Sequence, residues 1–359
     1  VTELERIAAA LGEAASDGSR ALLATVVACE GSTYRRVGAR MAVTPAGIVG
    51  AISGGCLETD VLERRARLEA SGRAELVSYD GRSPEELVWG LGLGCNGRIE
   101  VLLEPLAGAT LQAASRCLAR AVALRRAALA TVVATGDPAR IALGERLLLD
   151  ADGVRAGGTL SLEEAETLQR DGVRFELLWE PVAPSPRLSV CGAGTDAIPV
   201  VQLAAQIGWR VELLDHRAAF ASAGRFPAAD AITVAAAGAA AKALEASAPD
   251  AVVVMSHQFE RDLEYLAAAL TSPVAYVGIL GPKARAERLL AALAERGFAV
   301  DAALRARLFA PVGLDLGAET PEEIALAIVS ELLAAWRGRN GASLRERSGA
   351  IHSRAQERE

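Results

Sequence analysis

Two stretches of this chain repeat each other, and an internal repeat limits the available folds more than any single motif does. ALLATVVA at 21–28 returns as AALATVVA at 127–134. GARMAVTPAG at 38–47 has GERLLLDADG at 144–153 at the same offset, and IEVLLEP at 99–105 returns as FELLWEP at 175–181. The repeat predicts two copies of one unit, at roughly 20–107 and 126–183. Each copy reads as an apolar strand, a hairpin, an amphipathic helix at 57–70 or 162–170, and a closing strand ending at Glu-Pro. Thr44-Pro45-Ala46-Gly47 and Asp150-Ala151-Asp152-Gly153 have the composition of hairpin turns.

The copies differ in two places. The first carries Ser53-Gly54-Gly55-Cys56-Leu57-Glu58 where the second has Thr159-Leu160-Ser161-Leu162-Glu163-Glu164. The first also carries Gly90-Leu91-Gly92-Leu93-Gly94-Cys95-Asn96-Gly97 before its closing strand, a segment the second lacks. A scaffold that forms without either Gly/Cys element leaves both free to serve a site.

After Pro181-Val182-Ala183-Pro184-Ser185-Pro186, a stiff connector, apolar strands alternate with helical stretches. Strands are expected at 188–191, 210–214, 231–234, 251–255 and 273–277. A last helix is expected from Pro321 to 336, opened by Thr320 as N-cap with proline in the first turn. The fold class expected is α/β: an N-terminal α/β domain with an internal duplication, then a C-terminal Rossmann-like doubly wound parallel sheet. The boundaries expected are 1–107 for the copy with the Gly/Cys site and 108–180 for its degenerate sister. A linker at 181–186, a Rossmann-like domain at 187–336 and a disordered tail at 337–359 complete the division.

Composition narrows the class. A chain that is 51% hydrophobic can fill sizeable cores, yet it has no charge-free apolar run of about 18 residues and no basic leader. A net charge of −7 argues against a general nucleic-acid binder. Five irregularly spaced cysteines form no CxxC pair, which fits reduced thiols. The expectation is a cytoplasmic protein with neither nucleic-acid nor membrane partners.

Cys56 follows two glycines at the start of a helix, where a thiol gains thiolate character and can meet a soft metal centre. Cys95 carries the same logic, and Ser53, Gly54, Gly55 and Gly94 complete these loops. Arg35 and Arg36 beside them can grip a pyrophosphate or a pterin carbonyl. In the second half, Gly192-Ala193-Gly194 between strand and helix suits a phosphate, and Asp215 ends the next strand at the spacing of a ribose-binding acid. His257 follows a later strand, and Gly278-Ile279-Leu280-Gly281-Pro282-Lys283 reads as a second turn of this kind. Each has a plainer reading: buried structural thiols, solvated arginines, a tight turn with basic side chains. Cys29, Cys117 and Cys191 read as core.

Gly31-Ser32-Thr33, Arg35-Arg36, Gly38-Ala39-Arg40-Met41, the Ser53–Glu58 motif and Gly92 through Arg98 together resemble the XdhC/CoxI family of xanthine dehydrogenase accessory factors. Gly192-Ala193-Gly194, Arg225-Phe226-Pro227, Met255-Ser256-His257, Tyr276 through Gly281 and Pro311 through Glu323 extend the resemblance over about 20–336. The resemblance implies a chaperone more than a catalyst. Such a protein binds the molybdenum cofactor, as molybdopterin or its dinucleotide form, and holds it while a cysteine desulfurase supplies sulfur. It then delivers the cofactor to an apo molybdenum hydroxylase. Cys56 and Cys95 would contact molybdenum. Where the family often has Gly-Ala-Gly-His, this chain has Thr195, and its later strand end keeps one histidine, His257. An NAD(P)-dependent oxidoreductase using Gly192, Gly194 and Asp215 is the alternative, and a scaffold bridging a desulfurase to its client is a third reading. A homodimer is expected.

Overall fold

A computed structural model describes residues 2–31, 33–81, 97–124, 126–236, 238–298 and 300–348. The chain divides into two compact units, Thr2–Pro184 and Ser185–Glu359.

The first unit contains two antiparallel sheets of matching design. One has the order β3-β2-β1-β5-β4, from β1 (Arg20–Gly31), β2 (Arg40–Thr44), β3 (Gly47–Gly50), β4 (Glu75–Asp80) and β5 (Gly97–Ala107). The other has the order β8-β7-β6-β9, from β6 (Ala127–Thr135), β7 (Arg146–Asp150), β8 (Arg155–Gly158) and β9 (Phe175–Val182). The duplication is therefore structural: β1 matches β6, β2 matches β7, β3 matches β8 and β5 matches β9. Even the irregularity recurs, between Val26 and Ala28 in one copy and between Val132 and Ala134 in the other.

The copies diverge at β4. Its alternating burial marks a half-buried strand that sequence reading did not single out. The second copy passes from its helix, Leu162–Arg170, directly to β9. What it lacks is thus a strand as well as the Gly/Cys segment.

Three cores hold this unit. Helix Glu58–Ser71 covers one face of the first sheet through Val61 and Leu68, and Leu162–Arg170 covers the second through Ala165. The third core joins the copies. It gathers Leu23, Ala42 and Leu106 with Leu129 and Leu148, sealed by helices Glu3–Ser16 and Gly108–Ala123. Cys117 lies in this core, as expected.

The second unit is a six-stranded parallel sheet in the order β12-β11-β10-β13-β14-β15. The strands are β10 (Arg187–Cys191), β11 (Arg210–Asp215), β12 (Ala231–Val234), β13 (Ala251–Val254), β14 (Tyr276–Ile279) and β15 (Leu308–Phe309). Both faces are covered. Ala251 and Val253 pack with helices Ala197–Gln206 and Pro321–Trp336, while Val252 and Val254 pack with Phe259–Thr271 and Lys283–Glu295. Burial on both sides is why these strands read as unbroken apolar runs. The chain order reverses between β10 and β13, the position where doubly wound sheets open a ligand crevice.

The strand expected at 273–277 begins later, at Tyr276. The Arg307 guanidinium takes the carbonyls of Ser272 and Val274 at 2.7 and 2.6 Å, which holds that stretch as a loop. Thr320 and Glu323 form a capping box at the last helix, with Pro321 in its first turn. No helix among the described residues is long and apolar enough to cross a membrane.

Candidate functional site

The Gly/Cys loop of the first unit runs from the end of β3 into helix Glu58–Ser71, and Glu58 organises it. Its carboxylate accepts N–H bonds from Ile52 at 3.1 Å, Ser53 at 2.8 Å and Gly55 at 3.1 Å, and the Ser53 hydroxyl donates to it as well. Ser53 Oγ in turn accepts from the amides of Gly55 and Leu57, both at 3.1 Å. Burial pushes the Glu58 carboxyl up, but these hydrogen bonds outweigh it and hold its pKa below the ordinary value.

Cys56 is half-buried at the rim of this loop, its thiol 3.5 Å from Ser53 Oγ. Gly55 has φ 115°, a conformation suited to glycine, and open space where a side chain would stand. Tyr34 lays its ring beside Gly54. The loop amides near the thiol are thus engaged by Glu58, and a soft donor is presented at an open glycine surface. Among the described residues, no group of three or more His, Cys, Asp or Glu side chains is placed to hold a metal ion, so the loop offers one thiol and not a complete ligand set.

The two arginines stand in different surroundings. Arg35 is paired with Glu3 on the first helix, so its charge is already matched; Arg36 is exposed. Gly94 and Cys95 lie outside the described residues. Glu58 closes the Ser53–Glu58 motif, and its role in the loop goes beyond the expected glycine and cysteine positions. Its place three residues after Gly55 was the available signal, since an acid there can reach back to loop amides.

In the second unit the Gly-rich turn follows β10. Gly192 (φ 129°) rests on the neighbouring strand end, and a side chain there would come within 2.6 Å of the Met255 backbone. The positive φ and this close approach leave room for glycine alone at this point of the turn. Asp215 stands at the end of β11, where the sequence places it. It is fully buried and accepts from Ala193 N at 2.6 Å and from Arg217 N, Nε and Nη2 at 2.8, 3.0 and 2.8 Å. Burial raises its pKa, but Arg217 and the Ala193 amide overcome this and bring it to about 2. Its oxygens are spent on the turn and on Arg217, where a ribose-binding acid would keep them for a ligand.

Gly194 precedes Thr195 and Asp196, and Asp196 Oδ2 stands 2.7 Å from His257 Nε2 across the turn of chain order. His257 has φ 63°, rare for a residue with a side chain, and is 61% exposed on its side chain. Gly278 lies inside β14 and not in a turn; a side chain there would meet Val312 at 2.5 Å, so its smallness serves packing. The turn proper holds Gly281 (φ 119°), with Lys283 exposed at the start of the following helix. Nearby Arg285 pairs with buried Asp262 at 2.7 Å, and Asp262 also accepts from Ser256 N at 3.0 Å.

An antiparallel duplicated unit carrying a glycine-framed thiol, joined in sequence to a Rossmann-like sheet, defines the class. The chain matches the XdhC Rossmann domain over residues 188–332 and the XdhC and CoxI family over 14–80. It is 32% identical over 327 residues to a Bacillus subtilis protein described as a probable xanthine dehydrogenase component, covering 88% of this chain and 93% of that one. It is 27% identical over 325 residues to the molybdenum cofactor insertion chaperone PaoD of Escherichia coli, covering 89% and 85%. A crystal structure described as a xanthine dehydrogenase from Bacillus halodurans superposes with a TM-score of 0.76 at 31% identity, over 96% of this chain and 98% of that one. The chain belongs to the XdhC and CoxI family.

Proposed function

We propose that this protein is an accessory chaperone of the cytoplasm. It binds the molybdenum cofactor, keeps it during sulfuration by a cysteine desulfurase, and delivers it to an apo molybdenum hydroxylase of the xanthine dehydrogenase type. The observation that carries this reading is the Ser53–Glu58 loop, present in one copy and absent from the sister copy, in a chain related over 89% of its length to a molybdenum cofactor insertion chaperone. In this reading residues 1–107 present Cys56 and Cys95 to the metal end, and 108–180 serve as scaffold. A connector follows at 181–186. The 187–336 region takes a phosphate through Gly192, Gly194, Gly281 and Lys283, with His257 beside them, and the tail follows from 337.

The alternative, an NAD(P)-dependent oxidoreductase, needs a carboxylate at the end of β11 that is open to a ribose. Asp215 is engaged by Ala193 and Arg217 instead, which weighs against it. Anaerobic co-purification with metal and pterin analysis, followed by equilibrium binding of the cofactor and of NAD(P)H, tests the choice. Molybdenum and pterin in stoichiometric amounts are expected. Tight NAD(P)H binding with no pterin bound would overturn the chaperone reading.

A further inference from the structure

The two sheets of the first unit share one design but not one boundary. In the first sheet β5 has a strand on each side, β1 and β4, and β4 pairs antiparallel with it from Glu75 opposite Leu103 to Asp80 opposite Arg98. The aligned Glu-Pro of the repeat makes Arg174 and Trp179 the counterparts of Arg98 and Leu103. Among the described residues, β9 has a strand partner on one side alone, β6.

Sheets guard their edges with short strands and charges. The other edge strands obey this: β3, β8 and β12 have four residues each, β15 has two, and β4 is six residues with an acid at each end. β9 is eight residues long; Glu180 and Pro181 guard its far end, but its first five residues, Phe175-Glu176-Leu177-Leu178-Trp179, carry one charge and no proline. Trp179 is 48% exposed.

We propose that this edge is where two copies of the chain pair, β9 against β9, antiparallel about a two-fold axis through Leu177. The register follows from strand geometry. Facing residues in an antiparallel ladder point their backbone groups the same way, so a strand meeting its own copy must be centred on a residue. A centre at Glu176 sets that acid against itself, and a centre at Leu178 sets Glu176 against Glu180. A centre at Phe175 pairs the strand with the turn at Asp171-Gly172, and one at Trp179 puts Pro181, which has no N–H, against Leu177. The Leu177 centre places Phe175 opposite the partner's Trp179 and Glu176 opposite the partner's Leu178. No like charges face one another, and two aromatic cross-strand pairs form. The partner strand takes the position that β4 holds in the sister sheet and completes an eight-stranded sheet from two four-stranded ones. The inference does not depend on which ligand the protein carries.

Sedimentation or light scattering on the full chain at micromolar concentration, with hydrogen exchange of the β9 amides, tests this. A dimer is expected, with amides of 175–179 protected more strongly as concentration rises. Trp179→Lys, at an exposed site, should raise the dimer dissociation constant at least about tenfold while leaving the thermal melt of the monomer intact. Val154→Lys, at another exposed apolar position of the same unit, should leave it unchanged. A monomer at all concentrations overturns the proposal, as does a dimer indifferent to Trp179→Lys. Protection of 175–179 that appears only when an apo molybdenum hydroxylase is added also overturns it, and would make the edge a site for a different protein.

Discussion

Arg146 of the second copy holds Glu104 of the first, with Nη2 2.6 Å from Oε2 and both side chains 4% exposed. The mirror pair, Arg40 with Glu180, ties the copies in the opposite direction, its second contact at 3.1 Å. Each arginine also donates to a glycine carbonyl two residues before it, Gly38 or Gly144. Burial lowers the Arg146 pKa, but the charge and hydrogen bonds of Glu104 more than restore it, and the net shift is upward. The exchange is reciprocal, as across the two-fold axis of a dimer, but within one chain.

Removing one partner should therefore cost more than removing both. Arg146→Met leaves Glu104 buried and uncompensated, and should destabilise the first unit by about 3–5 kcal/mol in urea unfolding. Arg146 Nε has no hydrogen-bond partner, so the pair is incompletely satisfied. The double variant Glu104→Leu with Arg146→Met should be more stable than Arg146→Met alone. A double variant that is less stable would show that the pair is net stabilising.

Glu58 ties down the loop that presents Cys56. Glu58→Gln replaces one acceptor oxygen with a donor, and should cost about 1–2 kcal/mol. In the native protein the folded-state pKa of Glu58 is depressed, so its contribution is complete above the ordinary value of 4.5 and is lost as pH falls through the lower folded value. Melting temperature followed over acidic pH should fall less steeply in the variant than in the parent.

Asp215 follows the same sign. Its stabilisation is present at neutral pH and fades as pH drops from 3.8 towards about 2. Screening by solvent around partly exposed Arg217 trims the linked contribution to about 1–2 kcal/mol. Asp215→Asn should lose that amount at pH 7 and show a flatter acid limb. Equal acid limbs in parent and variant would place the titration elsewhere.

Cys56 and Cys117 should separate function from stability. Cys117→Ala leaves a small void in the core shared by the copies and should cost about 1 kcal/mol with cofactor retention unchanged. Cys56→Ala should leave the melt nearly unchanged and lower cofactor retention or sulfuration. Equal retention by both variants would exclude the Cys56 thiol as a ligand.

His257 occupies a left-handed backbone conformation at the end of β13. His257→Gly and His257→Ala both lose the bond to Asp196, but only glycine relieves the backbone. The glycine variant should be the more stable of the two by about 1 kcal/mol in chemical unfolding. If the two were equal, the conformation would carry no strain.

Much of the architecture was written locally. The repeat of ALLATVVA, the Glu-Pro strand ends, the glycine turn after Cys191 and the Thr320-Pro321 helix start are short-range signals, and each produced the expected element. These follow from side-chain periodicity, turn chemistry and capping, which act over a few residues. β4 has little signal in the sequence, because Glu75–Asp80 is polar at its ends and follows a helix closely, so its alternation is brief.

What tertiary structure alone decided is which groups spend their charge on one another. Arg40 and Glu180 are 140 positions apart, and nothing near either one announces the other. Asp215 stands at the spacing of a ribose-binding acid, yet the fold brings it to Ala193 N and Arg217, and its two oxygens already accept four hydrogen bonds, about the capacity of a carboxylate. Gly278 looked like a turn residue until Val312 closed over it. The sequence determined the elements, the duplication and the places where glycine and cysteine stand apart from the scaffold. Packing between distant segments determined which of those polar groups remain open to a ligand, because hydrogen-bonding capacity is finite and is first claimed by whatever the fold brings within about 3 Å.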